Sequence, residues 1–231
     1  MLGLRLMRYF LRSFFVIKNN LFTHHNYFHF LKNCWKQTLP SASTYWKACD
    51  FLVVDLEMSS LDVNSGEILS IGWVTVTNGN IQLKSAEHHV IHSNNGVGQS
   101  ATIHQLRDCE VKQGLSITQI SARFLQMAAG KTLVFHHASL DMAFLNKASM
   151  EINGAPLLLP ISDTLILEKE KLIRKHTHIP QGELRLATCR DRYNLPLYPA
   201  HNALVDAIAT AELFIAIATH KGSDTKLKDL M

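Results

Sequence analysis

The sequence predicts an α/β fold in which helices flank a mixed β-sheet, and three observations carry that prediction. A short β-rich apolar run occupies residues 51–57 (FLVVDLE), a hairpin signal is centred on Asn78-Gly79, and from residue 117 onward helix-period segments are interrupted by one further strand. Strands that meander first and then alternate with helices form a sheet with antiparallel as well as parallel pairs, not a strictly alternating parallel one. With 231 residues, 47% hydrophobic, 18% charged and only 11 Gly and 6 Pro, the chain has material for one domain with an appendage or two small domains. This composition excludes collagen-like, disulfide-scaffold and largely disordered classes.

Charge divides the chain before any element is read. Seven of the 23 Lys and Arg (Arg5, Arg8, Arg12, Lys18, Lys32, Lys36, Lys47) and none of the 19 Asp and Glu fall in residues 1–48, so residues 49–231 carry a net −3. Arg5, Arg8 and Arg12 would share one stripe of a helix beside an apolar remainder. Such an arm could grip a membrane surface or phosphates, pack on the body, or stay loosely ordered; in a eukaryotic source it would also fit a transit peptide. Arg5, Arg8, Arg12, Lys18 and the His-rich stretch over 24–29 interrupt the hydrophobic N-terminus, so no transmembrane segment and no secretory signal is expected. The four cysteines (Cys34, Cys49, Cys109, Cys189) form no C-x-x-C pair, which predicts free thiols and a cytoplasmic setting.

Each element of the body has a local reason. Residues 51–57 suit a buried strand; residues 68–77 and 80–83 flank Asn78-Gly79, whose residue types accept the positive φ angles of a type I′ turn, and residues 87–92 form a further strand. Residues 117–129 read as a helix, 132–136 as a strand, and 140–150 as a helix starting near Ser139. Residues 163–175, 183–194 and 203–220 read as further helices.

Carboxylates stand where chemistry is expected. Asp55 and Glu57 are two apart on a strand, so both face one side, and two like charges placed together need a positive partner or free access to water. A hard divalent cation such as Mg²⁺ or Mn²⁺ suits these oxygen ligands. Asp141 falls in the first turn of a helix, where an acid also simply complements the helix dipole. Asp206 lies in a helix made almost wholly of apolar residues and needs a partner there. His201, five residues earlier, reaches the same site only from the loop preceding that helix. His88, His89 and His92, and His176 and His178 with Cys189, lack recognised zinc spacing, and Trp46 and Trp73 read as packing residues.

In this order and on these elements, Asp55-x-Glu57, Asp141 and His201-x4-Asp206 resemble the DEDD superfamily of 3′-to-5′ exonucleases in its histidine variant. That variant includes bacterial proofreading subunits, ribonuclease T and oligoribonuclease. The likeness runs from about Phe51 to Ala218 and takes in Leu61, ILSIGWV at 68–74, Ile103-His104, Asp163-Thr164 and HNALVDAIATAEL at 201–213. Met58, Ser60 and His137 depart from the commonest pattern; Asp-Leu-Glu-Met itself is similar to oligoribonuclease.

The resemblance implies a ribonuclease H-like, five-stranded mixed sheet and a metal-dependent enzyme that releases nucleoside monophosphates from single-stranded DNA or RNA 3′ ends, in DNA proofreading or repair. It implies two Mg²⁺, with Mn²⁺ as substitute, held by Asp55, Glu57, Asp141 and Asp206, and His201 as the general base, a role suited to an imidazole of pKa near ~6.5. Met58, Leu61, His104 and His137 are the expected substrate contacts, Leu61 as an apolar wedge, and a DNA polymerase is an expected partner. The expected organisation is a basic extension over 1–48, an exonuclease domain over 49–222 and a C-terminal tail over 223–231. The alternative is a non-catalytic nucleic-acid or polymerase-binding module of the same fold.

Overall fold

A computed structural model of the chain describes residues 2–23, 25–93, 108–174, 178–199 and 201–231. Helices α1 (Leu2–Lys18) and α2 (Phe28–Lys36) precede strands β1 (Phe51–Met58), β2 (Ile68–Thr77) and β3 (Asn80–Val90). Next come α3 (Asp108–Lys112), α4 (Ile117–Ala128), β4 (Thr132–Phe135), α5 (Ala138–Asn153), β5 (Ile161–Asp163), α6 (Thr164–Ile173), α7 (Leu186–Asp191) and α8 (Ala203–Lys221). The sheet order is β3-β2-β1-β4-β5, antiparallel across β1–β2 and β2–β3 and parallel across β1–β4 and β4–β5. It is the mixed five-stranded sheet that was expected.

Alternation along β1 builds two cores and, at its end, the site. Leu52, Val54 and Leu56 face α4, α5 and α2; Phe51 and Val53 face the opposite layer, where Phe214 and Ile217 of α8 and Leu167 of α6 pack. Asp55 and Glu57 continue the second series, so the strand that is apolar at its start ends in carboxylates on the α8 side. Trp46 and Trp73 are fully buried, as expected of packing residues, and the four cysteines are free.

Several boundaries differ from the sequence reading, each for a physical reason. The segments 80–83 and 87–92 are one strand, β3, whose ladder shifts register against Trp73 and Thr75. At the shift the Ser85 hydroxyl accepts from the Thr75 N–H at 2.9 Å and donates to the Gln82 carbonyl at 2.7 Å, replacing the missing ladder partner. β5, three residues long, is too short for a period-two signal, and the helix expected from residue 163 starts at Thr164 behind it. The helix expected over 183–194 shrinks to α7.

Packing also runs across the compositional boundary at residue 49. Phe28, Leu31, Cys34 and Trp35 of α2 are buried in the first core, and the Trp35 indole N–H donates to the Leu157 carbonyl at 2.6 Å. Tyr45 bridges to Lys226, while Leu227 and Leu230 are buried in the second core with Trp46. Arg8 and Arg12 turn inward: Arg12 Nη2 donates to the Leu158 carbonyl at 2.5 Å and Arg8 Nη1 to that of Leu159 at 3.3 Å.

Candidate active site

The site forms where β1 ends, beside the N-termini of α5 and α8. Asp55, Glu57 and Asp206 each bring a carboxylate oxygen within 4.8 Å of the other two. Asp141, buried in the first turn of α5, lines the same cleft, as do Met58, His137 and His201; the cleft encloses about 740 Å³. Its other wall comes from residues 181–187, with Arg185 and the apolar Leu184 and Leu186.

Glycine at position 72 makes this convergence possible. Gly72 pairs with Asp55 across the β1–β2 ladder, and a Cβ built there would sit 2.3 Å from both the Ala203 carbonyl carbon and the Leu204 nitrogen. Only a residue without a side chain lets the first turn of α8 rest on the sheet directly beside Asp55. Asn202 caps α8 by accepting from the Leu204 and Val205 N–H groups, and Ala203, Ala207 and Ala211 keep the helix close to the strands.

His201 stands in the loop immediately before α8, where it was expected. Its backbone is left-handed (φ 70°), and its N–H donates to Asp206 Oδ2 at 2.8 Å, closing the loop onto the acid it accompanies. The preceding loop is held by Arg190, which is buried and donates to Glu212 at 2.7 Å, to the Pro196 carbonyl at 2.7 Å and to the Ala209 carbonyl. Tyr198 donates to the second oxygen of Glu212 at 2.8 Å.

On the α5 side, Asp163 organises two helix starts at once. It accepts from the N–H groups of His137 (3.0 Å), Ala138 (2.9 Å) and Leu165 (2.9 Å), so one carboxylate serves the N-termini of α5 and α6. This holds His137 left-handed (φ 79°) at the N-cap and aims the first turn bearing Asp141 at β1. His136 is a scaffold residue: burial lowers its pKa, Nε2 donates to the Leu184 carbonyl at 2.9 Å, and Nδ1 meets Thr164 Oγ1 at 2.8 Å. It thereby ties β4 to the 181–187 wall.

The electrostatics are those of carboxylates that need a cation. Burial raises the Asp55 pKa well above the ordinary carboxylate range, and each charge that acts on it, from Asp141, Asp206 and Glu57, raises it further. Burial likewise pushes Asp141 up to about 7, with Asp163 and Glu57 adding to the rise, while hydrogen bonds from the backbone of Asp141 and Leu56 hold it down. Asp206 is raised by burial against the opposing hydrogen bond from His201. An all-oxygen donor set of this charge suits a hard divalent cation, whose binding would favour the ionised forms.

The other expected contacts divide. Met58 and His137 line the cleft; Leu61 sits 77% exposed on the loop after β1 and does not line it; Ile103, His104 and His176 lie outside the described residues. His89 on β3 and His92 just beyond it have other roles: His89 Nε2 pairs with Glu87 at 2.9 Å, and His92 Nδ1 donates to the Lys112 carbonyl at 2.9 Å.

Against known proteins, the profile of the exonuclease family, RNase T, matches residues 52–214, a span that includes all five candidate site residues. The chain belongs to this DEDD 3′-to-5′ exonuclease family. It is 30% identical over 169 residues to a DNA polymerase III of PolC type from Caldanaerobacter subterraneus, covering 72% of this chain and 11% of that protein. It is 28% identical over 169 residues to a DNA polymerase III subunit epsilon-like protein from Rhodobacter capsulatus, covering 72% of this chain and 23% of that one. The chain thus spans a quarter or less of these relatives. Among solved structures, E. coli Exonuclease I in complex with a dT13 oligonucleotide superposes with a TM-score of 0.63 at 13% identity, over 75% of this chain and 42% of that chain. Exonuclease I from Methylocaldum szegediense gives 0.62 at 13% identity, over 77% and 42%. These neighbours share the ribonuclease H-like fold of this exonuclease domain. In it, α8, the one described helix long and apolar enough to cross a membrane, is the helix packed on β1 and β2.

Proposed function

We propose that this exonuclease domain is a metal-dependent 3′-to-5′ exonuclease of the histidine variant that releases nucleoside monophosphates from single-stranded ends. The observation that carries the reading is the meeting of Asp55, Glu57 and Asp206 within 4.8 Å, with Asp141 and His201 on the same cleft. Asp55, Glu57, Asp141 and Asp206 would hold two Mg²⁺, or Mn²⁺. When bound, such ions neutralise charge on the reacting phosphate, favour water ionisation and stabilise the leaving 3′ oxygen. The four acids hold the charge of that site, and burial, with the neighbouring charges adding to it, disfavours ionisation of Asp55, Asp141 and Asp206 in the protein alone.

His201 accepts the proton of the attacking water at its imidazole; the backbone hydrogen bond to Asp206 and the left-handed turn set where the ring projects. Met58 and Leu140 offer an apolar floor for the terminal nucleotide, His137 and Arg185 polar contacts for its phosphate, and Leu61 an exposed apolar side chain on the neighbouring loop. A polymerase partner and a proofreading or repair role are supported by the relatives named DNA polymerase III. The test is digestion of matched 5′-labelled DNA and RNA oligomers: stepwise shortening with Mg²⁺, none with EDTA and none from Asp206→Ala supports the reading. Unchanged turnover by Asp206→Ala, or labelled mononucleotide as the first product, refutes it.

A further inference from the structure

The N-terminal helix is built inside out for a helix lying on a protein in water. At 100° per residue, Leu6, Met7, Phe10, Phe14 and Ile17 fall within one stripe about 100° wide, and all five are between 52% and 62% exposed. Arg8 and Arg12 lie on the opposite side, turned onto the body, where the carbonyls of Leu158, Leu159 and Trp35 take their hydrogen bonds and Arg12 lies over the Trp35 ring. Phe15 and Val16, flanking that side, pack against the first core. The helix therefore spends Arg8 and Arg12 on attachment and presents an unpartnered apolar face, larger than scattered surface residues would produce.

We propose that this face of α1 seats the protein on an anionic lipid surface. Charge selects that occupant. Residues 1–48 hold no acidic side chain; with Arg8 and Arg12 turned onto the body, Lys18 closing the helix and Lys36 exposed on α2 supply cations for the headgroups, whereas residues 49–231 carry −3 and would be repelled by such a surface. An amphipathic helix with bulky apolar residues on one face and basic residues around it lies in the interface plane, held by apolar burial and by attraction to anionic headgroups. Position agrees as well. Arg8 and Arg12 grip the chain just before β5, at the end of the parallel strands opposite their C-terminal ends, where the acids gather. A bilayer under α1 leaves the cleft facing outward.

The experiment is flotation of the full chain with vesicles of phosphatidylcholine alone and of equimolar phosphatidylglycerol and phosphatidylcholine, beside the double variant Phe10→Glu/Phe14→Glu. Both substitutions are at exposed positions, and metal-dependent hydrolysis together with far-UV circular dichroism reports that the variant stays folded. We expect flotation with the anionic vesicles at least about tenfold above the neutral ones, from the attraction of basic residues near the surface to the headgroups, and its loss in the double variant. Absence of binding by the parent, equal binding to neutral vesicles, or unchanged binding by the variant overturns the proposal. So does a dimer, seen by light scattering without vesicle binding and dissolved by the same substitutions, because a second copy would then cover the face.

Discussion

Replacing Asp141 with asparagine separates the cost of the site from its use. In the folded protein the Asp141 carboxyl is held up to about 7, against 3.8 for the free side chain, chiefly by burial. The folded state therefore binds more protons than the unfolded chain between those values, and the metal-free protein loses stability as pH rises from about 4 to 7. The interval from 3.8 to about 7 corresponds to roughly 4 kcal/mol at pH 8 if Asp141 bore it alone. Burial is the larger cause and also penalises a polar amide, so we expect Asp141→Asn, which keeps an acceptor for the Leu56 backbone, to recover about half. For a chain of this size that is a rise in Tm of about 4 to 8 °C in EDTA at pH 8, shrinking to nothing near pH 4. Mg²⁺ should reverse the order, stabilising the parent more than the variant, which should also lose turnover. Differential scanning calorimetry across pH 4 to 8, with EDTA and with Mg²⁺, measures all of this. A parent whose metal-free Tm does not fall over that range, or a variant less stable than the parent at pH 8 in EDTA, refutes the reasoning.

Three further outcomes are expected. His201→Ala should lower turnover by ~10² to 10⁴-fold with little change in Mg²⁺ affinity, read by single-turnover kinetics and isothermal titration; a tenfold loss of metal affinity would make His201 a site-building residue instead. Gly72→Ala should weaken Mg²⁺ binding and turnover and cost ~1 to 3 kcal/mol, because its methyl group must displace the first turn of α8 from beside Asp55; wild-type activity and Tm would show that helix to be free to move. Deletion of residues 1–48 should yield aggregating protein, since Phe28, Leu31, Trp35 and Trp46 leave the two cores, whereas deletion of residues 1–24 should leave a folded nuclease; circular dichroism and mononucleotide release distinguish the two.

The candidate site was legible in the sequence because its signals are local. Asp55 and Glu57 share a face through strand alternation, Asp206 is conspicuous in an apolar helix, and the five-residue spacing places His201 off that helix without reference to any other part of the chain. Asn78-Gly79 likewise declares its turn from two residues, both left-handed in the structure.

What depends on distant segments meeting was decided only by the tertiary structure. Nothing local marks Gly72 as the contact point of α8, because its reason is a backbone 131 residues away in the chain. Asp163 reads as the first residue of a helix until β5 brings it beside α5. The arginines of α1 read as one basic stripe that could face either way, since a helical wheel gives the faces but not which one meets the body. Carbonyls that needed donors, at Leu158 and Leu159, turned Arg8 and Arg12 inward and left the apolar side exposed. The cut at residue 49 follows charge, which is a sum over residues, while folding follows burial, which places α2 and the segment around Trp46 within the same cores as the sheet.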